Sequence, residues 1–142
     1  MYTNLAELLL EFTPEELAQL TGDPSGVNIN QARIDYAIEN ASNLIDNFLR
    51  NRYVVPFSPK PSLIKFIARE IAICNIYEYA NHDSFVPPTI TKRKSYAMYL
   101  LYQIQNGRLQ LEIVPNRTTI LINKENEKRL FDDDMLEKFS EV

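Results

Sequence analysis

The stretch Asn30-Gln31-Ala32-Arg33-Ile34-Asp35-Tyr36-Ala37-Ile38-Glu39-Asn40-Ala41-Ser42-Asn43-Leu44-Ile45-Asp46-Asn47-Phe48-Leu49 holds the clearest periodic signal in the chain. Ile34, Ala37, Ile38, Ala41, Leu44, Ile45, Phe48 and Leu49 recur in steps of three and four, one apolar stripe over about four turns. Asp35, Glu39, Asn43, Asp46 and Arg50 fall largely off that stripe. Asn30 suits the N-cap, because its short side chain can accept a bond from a free backbone N–H. At 1.5 Å per residue the helix is about 30 Å long and is expected to be the backbone of the fold.

Upstream, Leu5, Leu8 and Leu9 mark one short helix. Thr13-Pro14-Glu15-Glu16 then reads as a capping box with proline at the first helical position. Gly22-Asp23-Pro24-Ser25-Gly26 closes that second helix in a turn. Downstream, Pro56, Pro59 and Pro61 forbid a continuous helix, since each pushes the preceding residue towards an extended conformation. A long helix follows from about Ser62 to Ala80, with Leu63, Ile67, Ile71, Cys74 and Tyr77 or Ile76 expected inward. After Pro87-Pro88, Ala97, Leu100, Leu101 and Ile104 mark the last long helix, and Gly107 is placed to end it in a left-handed conformation. The period then changes. Leu109, Leu111 and Ile113 alternate with polar residues, as do Thr118, Ile120 and Ile122, with Pro115-Asn116-Arg117 between them. The pattern predicts a β-hairpin over about 108–122, which must lean on the helices or another chain because an isolated hairpin is marginal in water. The expected fold is mainly α: a compact bundle of three long helices plus short N-terminal helices, with a C-terminal β-hairpin and a short tail helix.

The 142 residues make one ordinary domain, 45% apolar and 24% charged. No repeat or linker divides it. The net charge is −4, and residues 125–142 hold seven acids against three bases, so residues 1–124 are neutral. Residues 1–124 read as a single helical domain carrying the hairpin, and 125–142 as an acidic tail that docks on the body or on a neighbour, since a helix of two turns is unstable alone. A pI of about 5.0 argues against a protein whose task is to grip a nucleic-acid backbone. The start has no basic region ahead of Glu7 and Glu11, and no apolar run approaches the roughly 20 residues that cross a bilayer. No membrane association is expected, and the cytoplasm where the chain is made is the expected site.

Cysteine and histidine occur once each, which excludes an internal disulfide and any site built on two imidazoles. Cys74 and His82 lie about 12 Å apart along an unbroken helix, against the roughly 3 Å of a catalytic hydrogen bond. Cys74 therefore reads as a core thiol. His82-Asp83 lacks the further histidines of a metal phosphohydrolase. Asp132-Asp133-Asp134 lacks the alternation and glycine of a calcium loop, and reads as capping for a helix through Met135 and Leu136. No glycine-rich phosphate loop is present. The expectation is a protein that is not an enzyme, with no catalytic, metal or cofactor residue and no small-molecule substrate. Lys60, Lys65 and Arg69, and Lys92-Arg93-Lys94, read as solvated helix faces rather than phosphate contacts. Tyr77, Tyr79, Tyr96, Tyr99 and Tyr102 suit packing or a protein interface, because tyrosine joins apolar area to one polar tip.

The order of these signals resembles a known family. The segment Thr13-Pro14-Glu15-Glu16-Leu17-Ala18-Gln19-Leu20-Thr21, then Ile38-Glu39-Asn40-Ala41-Ser42-Asn43-Leu44-Ile45-Asp46, then Arg52-Tyr53-Val54-Val55-Pro56-Phe57, is similar to the small structural protein of Mu-like phages and prophages. Pro61 to Tyr79, Lys94-Ser95-Tyr96-Ala97 through Gly107-Arg108-Leu109, and Lys128-Arg129-Leu130-Phe131 extend the resemblance over nearly the whole chain. It implies a non-enzymatic virion assembly protein: a head-completion or head–tail adaptor forming a homo-oligomeric ring at the portal, with portal and other neck proteins as partners. Arg52, Tyr53 and Pro56 are the expected structural motif, with the guanidinium on the terminal carbonyls of the long helix, the ring under the turn, and the proline setting the exit angle. A direct contact of the motif with a partner is the alternative. Arg129, Phe131, Leu136 and Phe139 are the expected interface, anchored by Phe131 and Phe139. The rival reading is a small DNA- or protein-binding regulator acting as a dimer.

Overall fold

A computed structural model describes residues 1–80 and 86–113. Five helices follow in order: α1 (Leu5–Leu8), α2 (Pro14–Leu20), α3 (Gln31–Leu49), α4 (Ser62–Ala80) and α5 (Pro88–Gln105). The starts of α1, α2 and α3 are capped by side chains, whereas α5 starts without a side-chain cap. Asn4 Oδ1 accepts the Glu7 N–H at 2.9 Å. Thr13 and Glu16 bond reciprocally, at 3.2 and 3.0 Å, ahead of Pro14. Asn30 Oδ1 accepts the Arg33 N–H at 3.3 Å. Asp23 organises the turn between α2 and α3. Its carboxylate accepts from Ser25 Oγ at 2.5 Å and from the N–H groups of Ser25, Val27 and Asn28. These bonds, the Ser25 hydroxyl first, lower its pKa to about 2.

The three long helices pack together, α4 against α3 and α5, and α5 against α3. On α3 the predicted stripe points inward: Ile34, Ala37, Ile38, Ala41, Ile45 and Leu49 are buried. α4 departs from the one-sided face read in the sequence. Seven consecutive residues, Glu70 to Ile76, are buried, because α4 is central and also meets α1 and α2. Ile64 is buried where Leu63 was expected, and Leu63 and Tyr77 are only half-buried. The two buried polar side chains of α4 have partners. Asn75 Nδ2 donates to the Ala37 carbonyl at 3.2 Å, and Glu70 is held by Arg93.

Gly107 ends α5 with φ +76. Its N–H bonds the Ile104 carbonyl at 3.1 Å, and the Arg108 N–H bonds the Gln103 carbonyl at 2.9 Å, the two bonds of a Schellman motif. The hairpin expected over about 108–122 is not found where it can be checked. Residues 108–109 and 112–113 form bends, and the described residues contain no strand. The reason is where the donors go: the Arg108 and Leu109 N–H groups both turn back to Gln103, and the Leu111 N–H points to Tyr53 Oη at 3.4 Å. Alternation here packs Leu111 into the core without a ladder. The rest of the hairpin, and the tail helix, lie outside the described residues.

Candidate functional site

Two built regions stand out. The first is the corner where α3 ends. The Arg52 and Tyr53 N–H groups both bond the Leu49 carbonyl, at 3.0 and 2.9 Å. The Tyr53 side chain is 1% exposed. Pro56 is exposed between the half-buried Val55 and the buried Phe57, and the Val55–Pro56 and Ser58–Pro59 peptide bonds are cis. Phe57 lies 5.8 Å from the Tyr53 ring and 5.9 Å from Tyr2. Tyr2 Oη donates to Asp46 Oδ1 and accepts the Phe57 N–H at 3.1 Å, while the Tyr2 N–H donates to Ser42 Oγ at 3.1 Å. Burial first, then the bond to Asp46, raises the Tyr2 pKa. The Arg52 guanidinium makes no hydrogen bond to the terminal carbonyls. It stands instead against Gly107, where an added Cβ would lie 2.5 Å from Nη2, and its buried Nε has no hydrogen-bond partner among the described residues.

The second region is a charged cluster midway along α4. Arg93 of α5 holds Glu70 with two parallel bonds, Nε to Oε2 at 2.5 Å and Nη2 to Oε1 at 2.8 Å. Its Nη2 also donates to Glu11 Oε2 at 3.1 Å. Hydrogen bonding to Glu70 is the main cause that raises the Arg93 pKa further. Arg69 sits near both carboxylates, 3.7 Å from Glu70 and 4.0 Å from Glu11. This cluster was not anticipated. The signal for it was one acid, Glu70, inside the apolar run Ile67 to Ile76.

Other candidate residues are more dispersed. Lys94 pairs with Glu78 at 3.2 Å. Cys74 is buried, with Sγ 3.5 Å from Glu78 Oε1, and burial followed by the Glu78 charge pushes its pKa up to about 11. His82, and the expected interface residues Arg129, Phe131, Leu136 and Phe139, lie outside the described residues. Tyr96, Tyr99 and Tyr102 are exposed along α5, and Tyr36 on α3 packs against Tyr79 at 5.4 Å. No helix among the described residues is long and apolar enough to cross a membrane.

A sequence profile of the family described as Bacteriophage Mu, Gp36 matches residues 2–129. The Mu-like prophage FluMu protein gp36 of Haemophilus influenzae (strain ATCC 51907 / DSM 11121 / KW20 / Rd) is 32% identical over 73 residues. That match covers 49% of this chain and 52% of the relative, so the chain spans about half the length of the curated protein it matches. The profile takes in the α3 corner, the charged cluster and Gly107 together, and the chain belongs to the bacteriophage Mu Gp36 family.

Proposed function

We propose that this chain is a non-enzymatic virion component, a head-completion or head–tail adaptor that assembles with copies of itself as a ring at the portal. It is made in the host cytoplasm and carried into the particle. Membership of the Mu Gp36 family supports the phage setting. The observation that carries the assembly role is the outer face of α5, where Tyr96, Tyr99 and Tyr102 are 55, 57 and 49% exposed. They recur every three residues and span about 9 Å. Exposed tyrosines so spaced suit contact with another protein, since aromatic residues are enriched at interfaces and lose little rotamer freedom there. The buried Cys74 thiol, protonated at neutral pH, suits packing better than nucleophilic chemistry.

The test is genetic and visual. Particles of a phage encoding this chain are expected to contain it, and its deletion is expected to leave heads and tails unjoined in electron micrographs. Joined particles of normal infectivity that lack the chain overturn the reading.

A further inference from the structure

The charged cluster opens outward into a shallow groove between α4 and α5, walled by Phe66, Arg69, Lys92 and Tyr96, with Glu11 at its edge. The Phe66 and Tyr96 rings meet edge to face, 6.4 Å between centroids. Charge in the groove is unequally satisfied. Arg93 is fully engaged by Glu70 and Glu11. Arg69 reaches the same carboxylates only at 3.7 and 4.0 Å, and its buried Nε has no hydrogen-bond partner among the described residues. Its guanidinium lies 5.6 Å from the Phe66 ring centroid. Lys92, one turn before Tyr96, is exposed. An aromatic wall beside a loosely paired arginine and an exposed lysine fits a short segment that mixes aromatic and acidic residues.

We propose that this groove is the docking site for residues 131–139 of the same chain. That segment reads Phe131-Asp132-Asp133-Asp134-Met135-Leu136-Glu137-Lys138-Phe139, four acids against one base between two phenylalanines. Phe131 packs on the Phe66–Tyr96 wall, and the aspartates take Arg69 and Lys92. The tether favours the chain's own segment over another copy's. Gln110, Leu111 and Glu112 share a concavity with Pro61, Ser62 and Leu63 at the start of α4. Arg69 is seven residues further along that helix, about 10 Å. Residues 114–130 extend to roughly 55 Å, so they span the distance easily and present the segment at an effective concentration on the order of millimolar. The proposal does not depend on the virion role.

Disulfide trapping in the full chain tests it. In a Cys74→Ser background, Lys92→Cys and Asp133→Cys form the test pair. Glu39→Cys, on an exposed face of α3, and Asp133→Cys form the control. Circular dichroism confirms that each variant keeps its helices. Dilute oxidation is expected to give a disulfide of monomer mass in at least about tenfold higher yield for the test pair, and adding Arg69→Gln is expected to lower that yield towards the control. Equal yields from the two pairs overturn the proposal. So does a product of dimer mass, which assigns the groove to a second copy, or a yield indifferent to Arg69→Gln, which removes the charge pairing.

Discussion

The corner after α3 and the cluster midway along α4 are held by opposite means. At the corner, Tyr53, Phe57 and Tyr2 pack ring on ring and use neutral groups for most of their bonds. In the middle of α4, Glu70 is 4% exposed and depends on Arg93. The corner is stabilised by apolar area, which changes little with salt or pH. The cluster is stabilised by pairing, in which each member is tolerable only while the other is present. Removing a piece therefore has different consequences: a void in one case, an uncompensated charge in the other.

The corner is expected to show the larger effect. Tyr53→Ala should cost about 3–5 kcal/mol, the usual loss for a large buried aromatic, read from urea denaturation and unchanged between low and high salt. A cost under about 1 kcal/mol would mean that the ring does not support the corner. At the cluster, Arg93→Ala should cost about 2–4 kcal/mol, because Glu70 stays buried without its bidentate partner while the one-third exposure of Arg93 softens the loss. Adding Glu70→Leu should recover most of it. Two losses that simply add would show that the pair is not coupled.

The smallest effect belongs to an exposed group unlike either region. Asp23 has a folded pKa of about 2, below the ordinary value near 4. Its contribution is therefore present above pH 4 and fades as the pH falls towards 2. Denaturation midpoints of the natural chain and Asp23→Asn should differ at pH 6, and the gap should shrink as the pH falls from 4 through 2. A constant gap would show that the turn's hydrogen bonds do not depend on the charge.

The same contrast explains how much could be read from the residues. α3 was legible because one side faces water, so Ile34 to Leu49 keep a stripe. α4 is covered all round from Glu70 to Ile76, its apolar residues lose periodicity, and the inward set came out partly wrong at Leu63 and Ile64. The end of α5 was legible because Gly107 supplies a local signal for a local motif. The bond from Tyr2 to Asp46 joins residues 44 positions apart, and nothing in either neighbourhood announces it. The place of the Arg52 side chain was not legible in the sequence, because its neighbour Gly107 is reached only through the tertiary fold. Alternation at Leu109, Leu111 and Ile113 misled, since a period of two describes any extended segment with one face on a core.

The contact between Arg52 and Gly107 makes one position the gatekeeper of another. Any side chain at 107 would begin inside the space the guanidinium occupies, quite apart from the left-handed backbone that disfavours it. A shorter residue at 52 vacates that space, so the steric part of the penalty at 107 belongs to the pair rather than to either site. The two positions are thus an epistatic couple across 55 residues of sequence, and the mutational history of one constrains which changes the other tolerates.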